Sequence, residues 1–513
     1  MDALITGLQT DVAAQDWYRR HIEARLHRAL ADVSSRLAVI QVHFNSYLSL
    51  LHAARAYPEL HALAADFISA LHPWPTHWGY LTAWAEEVAF AAAQTRQPQL
   101  LAHRAGLLLR LGDREAAWPA AQEALLLADE QHLIEAVSGA GVTMLEILHD
   151  QGRRADMSHW QSELEARLLA LQPHASASAW TRAWAEFRLY SLYYRLGAHH
   201  TWQEIVAETD HHFAAVAALP DTTPRHLIDL YFIGHFLYRR CGAARKALTV
   251  FQRKLQLERD HNFPNVDEHG AGDLALIYWT LAEYDLAVAG YQQWLAWCEQ
   301  NRDLHSQGIS LASLAAVYLS QKRLTEAAEV LDRAEALARW LDSAYIASLV
   351  QINRANVALC RPDYPAAIAD FEAWLAGQSW GDQAAFEKLN LSHAYAALGQ
   401  LDRAQTLVAE AREIAAHSES EILQGLTLRH WATYQPPAEK AALLRRALEI
   451  MQRYERRLDV ADCLLSLAGV AETAEERARL WDEGVHLLQE IHATAWLEGA
   501  SPDQPPFILA IGT

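Results

Sequence analysis

Between Leu230 and Leu401 the apolar positions return every 40 residues. Ala247, Ala287, Ala327 and Ala367 form one column, and Tyr238, Tyr278 and Tyr318 form a second. Tyr284, Leu324 and Tyr364 make a third, and Phe251, Tyr291, Leu331 and Phe371 a fourth. Within one period, Leu314 to Tyr318 and then Leu324, Ala327, Leu331 and Ala334 carry apolar groups three and four apart, the spacing of two amphipathic helices. Each period therefore reads as a helical hairpin. Such a unit cannot bury its apolar face alone and must stack on its neighbours. Ala327 marks the place where the second helix approaches the first, with Tyr318 and Leu331 filling the space beside it.

The same spacing extends beyond this stretch. Trp17, Ile22, Leu26, Leu30, Val33, Leu37, Ile40, Phe44, Leu48 and Leu51 keep a helical period, and Tyr57 to Phe67 reads as the second helix of a degenerate repeat. Pro73 and Pro75 then interrupt the helix, because each biases the residue before it away from helical angles. Turns such as Leu111-Gly112-Asp113, Cys241-Gly242-Ala243 and Leu398-Gly399-Gln400 place a helix-ending glycine between the two helices of a pair. The expected organisation is an N-terminal helical cap with a degenerate repeat over 1–97, divergent repeats over 98–222, regular repeats over 223–495 with a period of about 37–40, and a tail over 496–513. The proline-led tail is expected to fold back on the last repeat and shield its open face, the alternative being a strand offered to a partner.

Leu391, Ala394, Tyr395, Gly399, Leu401, Ala404, Val408 and Ala411 together resemble the tetratricopeptide repeat in residue types and offsets. The longer, 40-residue period resembles the variety found in the maltose-regulator-like sensor domains of bacterial signalling ATPases. The resemblance covers about 98–130 and 223–493 and is weaker over 131–222. It implies an all-α fold, a right-handed α-solenoid of about ten hairpins, with a protein or peptide partner received in the concave groove. It also implies the sensor or adaptor of a bacterial signalling or defence system. No GxxxxGK[ST] or GxGxxG phosphate loop is present, so an ATPase or effector working with this chain would be a separate protein.

Composition narrows the function further. A 513-residue chain of compact domains would split into about three or four, a rule that a one-dimensional stack escapes. With 51% hydrophobic residues, 22 Gly and 16 Pro, the chain reads as ordered and helix-rich. A formal charge of −20 opposes a nucleic-acid partner. Cys241, Cys298, Cys360 and Cys463 show no CxxC spacing and read as small buried hydrophobes in a reducing cytoplasm. There is no basic start followed by an apolar core, and no uninterrupted apolar run long enough to cross a bilayer, so no membrane partner is expected.

The search for reactive chemistry yields little. Glu204, Glu208 and His211, in the histidine-rich stretch 199–212, would share a helix face that could hold a divalent metal. HExxH is missing, and ordinary hydrogen bonding is the better reading, so neither metal nor cofactor is expected. No GxSxG elbow appears, and adjacent pairs such as Glu86-Glu87 and Glu475-Glu476 point to different sides of a helix. The chain does not read as an enzyme.

What remains is the inner wall. The helical phase turns Phe232, Phe236, Arg239, Arg240 and Trp279 inward, followed by Asn353, Asn356, Asn390 and His393. Aromatic anchors and hydrogen-bond donors along a concave surface suit a bound peptide, unless the chain's own side chains fill the space. The lysines that accompany asparagine in chaperone-type carboxylate clamps are not evident. The leading expectation is a non-enzymatic protein- or peptide-binding scaffold. The alternative is a small-ligand or peptide-pheromone receptor that changes superhelical pitch.

Overall fold

The computed structural model describes residues 12–33, 36–72, 74–77, 80–151, 153–194, 201–261, 263, 265–377, 381–418 and 420–511. Every regular element among them is a helix, and the one bridge between extended residues joins Ser501 to Gln504. Helices Val12–Asp32, Phe44–Ala54, His61–Leu71 and Leu81–Thr95 pack around the fully buried rings of Phe44, Phe67 and Trp84. Ten helix pairs follow among the described residues, from Pro98–Arg110 with Arg114–Glu130 to Arg457–Ala468 with Ala474–Glu490.

The repeating columns form the joints of this stack. Ala247, Ala287, Ala327 and Ala367 are fully buried, and Phe251, Tyr291, Leu331 and Phe371 are no more than 3% exposed. A methyl group at the closest approach of two helices and a large group one turn away let the pairs interdigitate at the density of a protein interior. The second helix of a pair is amphipathic, whereas the first can be buried on nearly every side. In Leu304–Ser320, the run from Leu314 to Ser320 is buried without a break.

One closing device recurs between the two helices of a pair. The N–H of Asp113 donates to the C=O of Leu108 at 2.8 Å, that of Ala243 to Tyr238 at 2.8 Å, Arg323 to Tyr318 at 2.8 Å and Gln400 to Tyr395 at 2.9 Å. These bonds reach back five residues and require a left-handed residue in the turn. Gly112, Gly242 and Gly399 supply it with φ between +76° and +87°, while Ala282 and Lys322 adopt it without glycine's freedom.

The coil closes on itself. Arg110 pairs with Asp303, 193 residues away, and Arg114 donates to the C=O of Asp342. Arg245 meets Glu455 at 2.5 Å across 210 residues, and His492 meets Asp285 at 2.5 Å across 207. At Gly112 an added Cβ would lie 2.8 Å from Leu341 Cδ2, and at Gly242 it would lie 2.6 Å from Tyr454 Cδ1. Five hairpins thus complete about one turn, and successive turns touch. The all-helical solenoid read from the sequence is the fold observed.

The tail touches the preceding superhelical turn before it reaches the last repeat. Helix Ala474–Glu490 is followed by a short turn in which Trp496, 3% exposed, donates from Nε1 to the C=O of Ser320 at 2.9 Å. That ring pins the chain to a hairpin one superhelical turn earlier, and the residues after it return to the last repeat as expected: Asp503 pairs with Arg477 at 2.7 Å, Pro502 and Pro505 lie over Gly469, and Ile508 and Leu509 share a core with Leu458, Ala461 and Leu465. From there it turns inward.

A candidate peptide groove on the inner helices

Four first helices line the site: Ala344–Cys360, Asp382–Ala397, Glu421–Ala432 and Arg457–Ala468. Along their inner sides stand Asn356, then Asn390 and His393, then Arg429 and His430, then Asp459 and Asp462. The period of the stack brings these polar groups into one row among apolar neighbours.

The row holds an extended segment of the chain itself. Asn390 Oδ1 accepts from the N–H of Ala510 at 2.9 Å, and its Nδ2 donates to the C=O of the same residue at 2.9 Å. Nδ2 also donates to Asn356 Oδ1 at 3.0 Å, which orients the amide. Arg429 Nη2 donates to the C=O of Ile508 at 2.8 Å, and Arg456 Nη2 donates to the C=O of Ile511 at 2.9 Å. The Phe507 ring stacks on His393, with centroids 3.5 Å apart and planes 9° apart. Ile508, Leu509 and Ala510 are no more than 2% exposed.

The charges around this segment are internally balanced. Arg429 pairs with Asp462, and Arg456 with Asp459 at 2.7 Å. Burial nevertheless pushes the Asp462 carboxyl up to about 7, with Arg429 opposing the shift. Burial first, and the Arg429 charge second, hold His393 down at about 4 and His430 well below its usual range. Both imidazoles are therefore neutral near pH 7. His430 Nε2 takes a hydrogen bond from Arg429 Nη1 at 2.6 Å.

The inward residues read from the sequence have different fates. Asn356, Asn390 and His393 come together on the bound segment. Asn353 is committed elsewhere, its amide donating to the carbonyls of Ala312 and Leu349 at 3.1 and 3.0 Å. Trp279 is 8% exposed and its indole donates to Ser320 Oγ at 2.9 Å, so the ring seals a joint between inner helices and offers little surface to a ligand. Phe232 and Phe236 form an edge-to-face pair 5.5 Å apart, and Phe236 continues to Tyr193 at 5.6 Å. Arg240 is exposed, with Nη1 on the C=O of Tyr193 at 3.2 Å. Arg239 is buried beside this aromatic patch, where burial pulls its guanidinium down to about 10. These four lie on Pro224–Arg240, outside the four helices that carry the asparagine row.

Arg429, His430 and Arg456 were not singled out in the sequence, although Arg429 and His430 interrupt an apolar inner helix one repeat after His393. The candidate metal face also resolves. His199 and His200 lie outside the described residues, Glu204 closes a capping box with Thr201, and Glu208 pairs with Arg188 at 2.8 Å. Hydrogen bonding from His212 and Arg188 holds Glu208 down at about 2. No group of three metal-ligating side chains occurs among the described residues. Nor is any described helix long and apolar enough to cross a membrane.

A separate cavity of about 920 Å³ opens between turns, lined by residues including Trp118, Arg153, Ala347 and Arg354. Of its four arginines, Arg153 pairs with Asp156, Arg354 pairs with Asp332 and Glu335, and Arg114 donates to the C=O of Asp342. The asparagine row is the stronger candidate, since it already binds a polypeptide backbone.

This is a tetratricopeptide-like helical-repeat fold. A Rap protein solved in complex with Competence and Sporulation Factor matches it at a TM-score of 0.53 with 13% identity, over 70% of this chain and 99% of that one. The Rap conjugation gene regulator of the plasmid pLS20, in complex with the Phr* peptide, gives 0.46 and 12%, over 68% and 95%. The Cut9-Hcn1 hetero-tetramer of the APC/C gives 0.33 and 12%, over 82% and 96%. No family model and no curated protein matches the sequence.

Proposed function

We propose that this chain is a non-enzymatic scaffold whose inner wall binds an extended peptide or protein segment, acting as the sensor or adaptor arm of a signalling or defence system. One observation carries the reading: Asn390 takes both main-chain hydrogen-bonding groups of Ala510. A side chain that reads main chain in this way, flanked by an aromatic stack and apolar recesses, is a receptor for extended polypeptide. A protein of similar fold has been solved with Competence and Sporulation Factor bound, which is consistent with a ligand-binding role for the architecture. The contacts between successive turns favour a related second reading. A ligand seated across four inner helices would bias the superhelical pitch, as a peptide-pheromone receptor requires.

The test is fluorescence anisotropy with an amidated peptide copying residues 503–511, titrated with the full chain carrying Ile508→Glu and Leu509→Glu to loosen its own segment. Micromolar binding, weakened at least tenfold by a further Asn390→Ala, is the expected result. No binding up to millimolar concentration would refute the reading.

A further inference from the structure

We infer that the segment Phe507–Ile511 is a ligand carried in cis, a displaceable plug that closes the groove, and that the partner it keeps out is an extended, uncharged, apolar strand with a small residue opposite Asn390. The inference rests on the peptide-binding reading above and adds its regulation and the chemistry of the ligand.

Three features of the segment point this way. Its described main-chain hydrogen bonds to the wall come from the side chains of Asn390, Arg429 and Arg456, so any strand of similar shape can take its place. Residues 504–511 carry no charge, and the arginines that hold them are already matched by Asp462 and Asp459. An acidic or basic ligand would upset that balance in a buried site. Ala510 is the residue both of whose peptide groups are clamped, and at 2% exposure its side chain has a methyl-sized space.

The connection behind the segment is built to let go. Ser501 and Gln504 close a small turn through two 3.0 Å backbone bonds, and Pro505 and Pro506 lack the N–H that would tie them to the wall. An exposed ion pair between Arg477 and Asp503, at 2.7 Å, is the outer latch. Upstream, Trp496 stays buried against Ser320, so release of 507–511 leaves the repeats and the tether intact. Ordering a handful of residues offsets much of what three buried apolar side chains and four hydrogen bonds to the wall contribute, so the closed segment is held far less firmly than the repeats. A short tether gives an effective concentration in the millimolar range, so for a strand that binds at about 10 µM the plug lowers apparent affinity about 100-fold.

The same labelled peptide discriminates the outcomes. Binding to the Ile508→Glu, Leu509→Glu chain at least tenfold tighter than to the unmodified chain is the expected result. Equal affinity for both overturns the plug while leaving the groove as a receptor, whereas no binding to either removes the receptor as well. Amide hydrogen exchange on the unmodified chain provides a second arm that needs no variant. The Ile508 and Ala510 amides should exchange through a local opening, well before Ala394 in the adjoining inner helix. Exchange of both regions at the rate of global unfolding would make the segment a permanent part of the core and end the proposal.

Discussion

Asn390 and Ala510, 120 residues apart, share two 2.9 Å hydrogen bonds between one side-chain amide and one residue's N–H and C=O. Replacing Asn390 by Ala leaves two buried peptide groups without their partner, a loss of about 2–4 kcal/mol in the local closing equilibrium. Amide exchange at Ala510 should accelerate by roughly 30-fold or more, while protection in Leu304–Ser320 stays unchanged. Asn390→Asp should be as disruptive, because a carboxylate keeps the acceptor but repels the Ala510 carbonyl oxygen.

Gly242 serves both as a left-handed turn residue and as a notch for Tyr454. At φ +76° a side chain is strained, and a Cβ would fall 2.6 Å from the Tyr454 ring. Gly242→Ala should cost about 2 kcal/mol or more in urea unfolding, combining backbone strain with overlap. Tyr454→Ala in the same chain should recover the overlap component only, giving a coupling energy in a double-mutant cycle.

Ala327→Leu should destabilise the stack by about 1–3 kcal/mol, since the fully buried methyl leaves no room for three more carbons. Glu329→Leu, on the exposed side of the same helix, should change stability by about 0.5 kcal/mol at most. Equal effects from the two changes would contradict the packing described for the joint.

Glu387 is 2% exposed, and burial raises its carboxyl to about 8 against a hydrogen bond from Gln383 that lowers it. The folded state therefore holds a proton that the unfolded chain has released. Its stabilising contribution is complete below the unfolded pKa near 4.5 and is lost as pH rises through about 8. Glu186, Asp273 and Asp462, each raised by burial to about 7, act in the same direction. Melting temperature should fall between pH 5 and pH 9, and Glu387→Gln should flatten the upper part of that curve.

The stack was legible because each joint is local: a small residue such as Ala327, a tyrosine nine residues before it and a large apolar or aromatic residue four after it repeat in register. Asn356, Asn390 and His393 were legible for the same reason, since helical phase alone turns them inward. Trp279 shows the limit of that argument. An inward direction does not tell a free anchor from a ring already sealed against the next helix by Ser320. Arg429 and Arg456 escaped notice because their role depends on a segment about 80 and 55 residues further along the chain. The contacts between turns leave no mark in the period at all, as they join residues about 200 positions apart.

The notches at Gly112 and Gly242 make hairpin number a fixed quantity. In an open solenoid a unit can be added or deleted and only its two neighbours notice. Here an extra unit between Gly242 and Tyr454 would slide each notch past its tooth one turn on, setting side chains against backbone along the whole seam. The array is geared, so its evolution and its redesign must proceed by whole turns or by changes within a unit.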